Sequence, residues 1–271
     1  MATIDMKLIK RLRELTGGGI LDCKNALAKN AGSIDDAVND MLKSGKIRAR
    51  SKSSRATAEG VILIACLQDK AAILEINTET DFVARNELFK EFSSRVIDVL
   101  IHSNVNTVKE LLSTKLSSGN SVEEECNALI AQVNENIVIK RIGVLQGNIV
   151  GCYNHDNRIA AIVSLQSGSL DLAKQIAIHI VAANPIAVTA EQIPTVILEK
   201  EKSIISAQVH SSGKPDSLCE KIISGRINKF LQENSLLDQL FVKSSDQTIG
   251  GLLATNNAKI IDFIRFEVGN N

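Results

Sequence analysis

Apolar residues at the start of the chain recur every three or four positions. Ile4, Leu8, Leu12 and Leu15 predict one helix, and Thr16, Gly17, Gly18 and Gly19 interrupt it. Cys23, Ala26 and Leu27 carry a second helix to Ala31 and Gly32. Ser33 with Asp36 resembles a capping box with Asp in place of Glu; it opens a third helix through Ile34, Val38, Met41 and Leu42 that Gly45 can end. A small three-helix domain is predicted.

The period then changes to that of strands. Val61 to Leu67 is β-rich, Gln68, Asp69 and Lys70 can turn, and Ala71 to Asn77 returns as a hairpin. Thr80, Asp81, Phe82 and Val83 lead into an amphipathic helix with Phe89, Phe92, Val96 and Leu100. A helix is predicted over Val122 to Val133 and a strand over Ile137 to Leu145. The same order recurs as a hairpin from Ile149 to Leu165, turning near Asp156 and Asn157, then a helix from Leu170 to Ala183. Gly60 and Gly147 stand before the two hairpins, so two related α+β halves are expected.

Pro194 opens a helical stretch to Val209, Ser211 to Pro215 breaks it, and a second helix runs to Phe230. Two such helices make an antiparallel hairpin, over about residues 190–232, expected to project from the body. It must bury its apolar stripe against a partner or a second copy, as in a homodimer or a 2:2 complex. The chain closes with a predicted strand near Phe241, a helix from Thr248 to Thr255 and a strand from Ile260 to Val268. The fold class is α+β: residues 1–55 form a helical domain with a basic linker, and 56–271 a two-part core interrupted by the hairpin.

At 271 residues and 44% hydrophobic, the chain has enough apolar surface for a real core. No window approaches the ~18 consecutive apolar residues of a membrane span. The start, Met1-Ala2-Thr3-Ile4-Asp5, lacks a secretory signal, so no membrane and a cytoplasmic location are expected. Lys plus Arg equals Asp plus Glu at 31 each, which argues against a protein devoted to nucleic acid. The first 55 residues nevertheless carry twelve basic against six acidic side chains. Lys43, Lys46, Arg48, Arg50, Lys52 and Arg55 read as a solvated linker, or as a contact to an acidic protein or RNA surface. Cys23, Cys66, Cys126, Cys152 and Cys219 are odd in number, far apart and without a C-x-x-C pair. They read as reduced thiols, with neither a zinc site nor a disulfide framework.

Motifs for chemistry are missing from the sequence. It has no G-x-x-x-x-G-K-[ST] and no G-x-G-x-x-G between strand and helix, so no direct nucleotide binding and no cofactor are expected. Gly17 to Gly19 reads as a turn rather than an anion cradle. His102, His155, His179 and His210 show no metal-ligand or catalytic spacing. His179, among Ile176, Ile178, Ile180 and Val181, reads as a satisfied helix histidine, and His155 as an exposed turn residue. Phe82, in a polar context, is either a hydrophobic staple on its own domain or an exposed aromatic anchor for a partner. A nucleic-acid binder using the basic run and an enzyme with a cysteine nucleophile are the rival classes.

Two stretches carry a resemblance. Leu12-Arg13-Glu14-Leu15-Thr16-Gly17-Gly18-Gly19-Ile20-Leu21-Asp22-Cys23-Lys24-Asn25-Ala26-Leu27 and Glu75-Ile76-Asn77-Thr78-Glu79-Thr80-Asp81-Phe82-Val83-Ala84-Arg85 resemble the two signatures of the elongation factor Ts family. Asn134-Glu135-Asn136-Ile137, His155, Ser212-Gly213-Lys214-Pro215 and Phe263 to Gly269 resemble it too. The resemblance implies a ubiquitin-associated-like helical domain, a two-part α+β core and a projecting hairpin. Its implied partner is elongation factor Tu, and its implied activity is guanine nucleotide exchange without catalytic side chains. Asp81 and Phe82 would enter near the partner's magnesium site, flanked by Thr80 and Val83, and Phe82 would wedge between two helices to release GDP. Further implied contacts are Arg13, Ile20, Leu21, Lys52, Val133, Asn134 and His155. Asn134 replaces a Gly common in relatives, and the C-terminal helical module of some members is not expected to contribute.

Overall fold

Three helices open the chain: α1 (Met6–Thr16), α2 (Ile20–Lys29) and α3 (Ile34–Lys52). The computed structural model describes residues 5–16, 19–211, 215–244 and 246–270, without the side chains of residues 46–48, 50, 216 and 217. Gly17, Gly18, the Ser212–Lys214 breaker and the side chains of Lys46, Arg48 and Arg50 therefore lie outside the described residues. Ile9, Leu12, Cys23, Ala26, Leu27 and Ala37 form the small core of the three helices. The Ser33 hydroxyl accepts from the Asp36 amide at 3.3 Å, the helix start read from the sequence.

The expected stop at Gly45 is corrected: α3 continues through it to Lys52. A Cβ at Gly45 would lie in ordinary contact, 3.6 Å from the Asn127 carbonyl, so the position packs along a later helix and α3 continues instead of ending. Ala49 is buried in the core beyond, and Lys52 is only 6% exposed. The basic stretch is thus helical as far as Lys52, and not a solvated linker at that end.

The first half of the core runs β1 (Glu59–Cys66), β2 (Lys70–Thr78), α4 (Asp81–Ala84), α5 (Glu87–His102), α6 (Val108–Ser113), α7 (Val122–Val133) and β3 (Ile137–Gln146). The second runs β4 (Ile149–His155), β5 (Ile159–Ser167), α8 (Leu170–Ala183), α9 (Thr195–His210), α10 (Asp216–Asn234), α11 (Ile249–Thr255) and β6 (Lys259–Glu267). Each half makes an antiparallel sheet with the hairpin's second strand in the centre, in the orders β1-β2-β3 and β4-β5-β6. The short α6, opened by a Thr107–Glu110 capping box, is an addition to the predicted elements. No strand forms at Phe241; Leu240 meets Thr248 in an isolated bridge, and Phe241 is buried.

The alternation of side chains along β2 and β5 explains the layering. Ala72, Leu74 and Ile76 point to α5 and α7, and Ala161, Val163 and Leu165 to α8. The intervening Ala71 and Ile73 face Ala160 and Ile162 across a third core, so the sheets stack back to back between outer helices. At Gly151 a Cβ would come within 2.4 Å of the Ala173 backbone, so only glycine lets α8 sit this close to β4. The helical hairpin of α9 and α10 buries Ile205, Val209 and Cys219 along its own seam, while Val196 stays exposed.

The stacking also corrects the reading of the cysteines. Cys66 and Cys152 form a disulfide although 86 residues separate them, because β1 lies against β4. Cys23, Cys126 and Cys219 are free and buried. Burial, helped by the Glu123 charge, pushes the Cys126 thiol up to about 12, so it is inert at neutral pH.

Between the sheets lies a charged pair. Glu75 is wholly buried, and Arg141, its cross-strand neighbour, donates from Nε to Oε2 at 2.6 Å. The other carboxylate oxygen accepts from Asn77 Nδ2 at 3.1 Å and from the Gly269 amide at 3.4 Å. Arg141 also donates to the Glu267 carbonyl at 3.0 Å and lies 4.3 Å over the Phe266 ring. Arg141→Ala would strand a buried carboxylate, costing about 3 kcal/mol. We expect its urea midpoint to fall clearly, and the double variant Glu75→Gln/Arg141→Met to recover most of the loss.

His179 is a second buried polar device. Its Nε2–H donates to Gln239 Oε1 at 2.9 Å, and Nδ1 accepts from the Val242 amide at 3.3 Å, a neutral tautomer with both nitrogens used. Burial lowers its pKa below the usual histidine range, against a smaller opposing pull from Gln239. The unfolded chain therefore takes up the proton first, so this contribution is complete above about pH 6.5 and is lost as pH falls below it, by at most ~1.4 kcal/mol per pH unit. Thermal melts between pH 7.5 and 5.5 should show the wild-type Tm falling, and a shallower fall in His179→Gln.

Candidate partner-binding site

The centre of β2 is buried on both faces, and the strand delivers its last residues to one end of the first sheet. There Thr78 Oγ1 donates to the Thr80 carbonyl at 2.8 Å, closing a tight turn. Thr80 takes extended backbone (φ −128°, ψ 158°), and the four-residue α4 begins at Asp81. Val83 and Ala84 are buried in the first core, which fixes the orientation of so short a helix. Asp81 and Phe82 are left on the outer side. Phe82 is 82% exposed, the most exposed of the described large apolar residues. Asp81 makes a 3.2 Å ion pair with Arg85 on the surface. The staple alternative for Phe82 is therefore excluded by geometry: Val83, not Phe82, anchors the turn.

The turn is held against the α7–β3 connection. Asn134, the C-cap of α7, is left-handed (φ 64°), a conformation that Asn tolerates nearly as Gly does. Asn134 thus takes a left-handed backbone that glycine also adopts readily. Both Glu135 carboxylate oxygens face Thr80: Oε2 accepts from its amide at 3.1 Å and Oε1 from its hydroxyl at 2.9 Å. In return Glu79 accepts from the Asn136 amide at 2.6 Å. Arg55 pairs with Glu79 at 3.4 Å, and its carbonyl accepts from Asn136 Nδ2 at 3.0 Å.

Lys52 donates to Asn134 Oδ1. The structure brings Lys52, Asn134 and the Thr80–Val83 turn to one joint, with Val133 half-buried beside it. Lys52 is turned inward there, acting as a brace. His155 is elsewhere, exposed at the end of β4, where Tyr153 Oη lies 3.4 Å from its Nδ1. The hairpin that carries it docks on β1, through the Ile62 amide to the Asn157 carbonyl at 2.8 Å.

A second exposed surface belongs to the helical domain. Ile20 and Leu21, in the first turn of α2, are 55% and 69% exposed. Ile20 and Arg13 line a shallow apolar depression with Met6 and Ile9. Glu79, Glu135 and Asn136 are not among the candidate residues from the sequence. They stand within the stretches that resemble the family, but nothing in the sequence shows that the segments flanking Thr80 and Asn134 meet, which depends on the fold.

Among the described residues no group of three or more His, Cys, Asp or Glu could hold a metal ion. None of the described helices is long and apolar enough to cross a membrane. The family model described as Elongation factor TS matches residues 79–270. A protein named Elongation factor Ts from Francisella tularensis subsp. novicida (strain U112) is 44% identical over 269 residues, covering 99% of this chain and 93% of the relative. Its namesake from Legionella pneumophila subsp. pneumophila (strain Philadelphia 1) is 43% identical over 272 residues, with the same coverage. With the helical domain, the paired α+β halves and the presented Asp81–Phe82 turn in place, the conclusion is that this chain belongs to the elongation factor Ts family.

Proposed function

We propose that the chain binds elongation factor Tu and promotes release of its GDP, allowing GTP to reload. The observation that carries this is Phe82, a large ring held out in solvent on a turn whose other apolar side chains are buried. An exposed aromatic on a fixed backbone is the residue type that dominates protein interfaces, since little entropy is lost when it docks. Its neighbour Asp81 brings a carboxylate to the same point, suited to disturbing the shell of a magnesium ion in the partner. Thr80 and Val83 set the turn, Asn134 and Val133 flank it, and His155 offers a further contact. Arg13, Ile20 and Leu21 supply a second docking surface on the helical domain.

Exchange by such a protein needs no catalytic group and no nucleotide site of its own. It requires only tighter binding to the nucleotide-free partner than to the GDP-bound one, and GDP then weakens the complex by the same factor. The two surfaces divide the work: the helical patch contributes affinity in both states, whereas Phe82 acts where the nucleotide is lost. A uniform contribution changes the concentration needed; a differential one changes the rate at saturation.

Release of fluorescent GDP from purified elongation factor Tu, titrated with the chain, tests both parts. Wild type should accelerate release in a saturable way. Phe82→Ala should lower the saturated rate about thirtyfold, the equivalent of ~2 kcal/mol for a central aromatic anchor, while melting like wild type. Ile20→Ala/Leu21→Ala should shift the half-saturation concentration upward and leave the saturated rate unchanged. A wild-type chain that leaves GDP release unaltered would refute the reading.

A further inference from the structure

Thr80 occupies the N-cap position of α4 but does not behave as a cap. A threonine there ordinarily accepts an amide hydrogen from the first turn through its side-chain oxygen. Here no such bond forms; the hydroxyl instead donates to Glu135, 2.9 Å from Oε1 and 3.0 Å from Oε2. The Thr80 amide donates to Oε2 of the same carboxylate at 3.1 Å. One side chain thus takes both donors of the residue that precedes Asp81 and Phe82. The reciprocal bond, from the Asn136 amide to Glu79 at 2.6 Å, runs between the same two turns in the other direction.

Helix α4 is too short to hold itself. With four residues, it has closing bonds from Ala84 to the Thr80 carbonyl at 3.4 Å and from Arg85 to the Asp81 carbonyl at 3.0 Å. A single turn fixes several dihedrals for very few hydrogen bonds, so it is unstable without outside contacts. Val83 and Ala84 anchor its C-terminal end in the core. At the N-terminal end beside Phe82, Thr80 is held by Glu135 through its amide and hydroxyl, and by the Thr78 hydroxyl through its carbonyl. Charge-assisted bonds to a carboxylate are the stronger kind, and two of them converge here.

We infer that Glu135 is a positioning residue for exchange: it clamps Thr80 so that the Asp81–Phe82 turn is formed before the partner arrives. This rests on the reading that Phe82 acts on elongation factor Tu, and it adds a residue that need not touch the partner. A preformed turn avoids an ordering cost on binding, so loss of the clamp lowers the effect of Phe82 without removing its ring.

Two measurements on Glu135→Ala and Glu135→Gln test it. In the free chain, hydrogen exchange of the Thr80 amide should be at least about tenfold faster in Glu135→Ala, as expected for loss of a charge-assisted bond, with Gln intermediate because it keeps one acceptor. In the GDP-release assay at saturation, Glu135→Ala should lower the rate about tenfold on the wild-type background. On the Phe82→Ala background the same substitution should add nothing, because it acts through that ring. Equal losses on both backgrounds, or unchanged Thr80 protection, would overturn the proposal. If Phe82→Ala alone exchanges normally, the wedge reading fails instead, and the protection of Thr80 in the free chain still decides whether Glu135 holds the turn.

Discussion

The structure turns on β2 being buried on both faces. One face fills the core under α5, the other meets the second sheet, and Glu75 stands on that inner face with no exposure to water. A charge in such a place is tolerated only with its ligands complete, and Arg141, Asn77 and the Gly269 amide supply them. These partners come from β2 itself, from β3 and from the end of the chain. Satisfying one carboxylate therefore fixes the register of the first sheet and the stacking of the second upon it.

The segment after β2 inherits that rigidity. Thr80 and Phe82 lie so soon after Asn77 that little slack can accumulate between strand and turn. The α7–β3 turn meets this segment because β3 pairs with β2 from Ile137 onward. Glu135 and Glu79 exchange bonds across the junction as a consequence of that pairing, and α3 reaches the same place by running on to Lys52. Three segments that are distant in sequence thus converge behind an aromatic ring that none of them covers.

Much of this is legible from residue patterns. The spans expected for α7 and α8 agree with the structure, where capping serines and left-handed asparagines bracket the apolar repeats. The two halves are visible in the repeated hairpin-then-helix order, and their shared strand order agrees with it. The features that escape such reading depend on packing between distant elements. Gly45 is a good helix terminator in isolation, yet here α3 packs along α7 and continues, with Ala49 and Lys52 buried beyond it. Cys66 and Cys152 carry no pairing signal in their spacing, since the back-to-back stacking alone brings β1 to β4. At the site, residue type alone leaves Phe82 open between staple and anchor; the resemblance to the family is what singles out Asp81 and Phe82, and it does not single out Glu135. Its role exists only through a contact 55 residues away.

The central claim is that the ring held out at position 82 is what enters elongation factor Tu. The most direct measurement places a photoreactive benzophenone side chain at position 82, with a control at the exposed Val196, and irradiates the complex formed with nucleotide-free elongation factor Tu. The account predicts an efficient cross-link from position 82 to residues bordering the partner's magnesium and phosphate site. A complex that forms normally yet cross-links there no better from position 82 than from position 196 would contradict it.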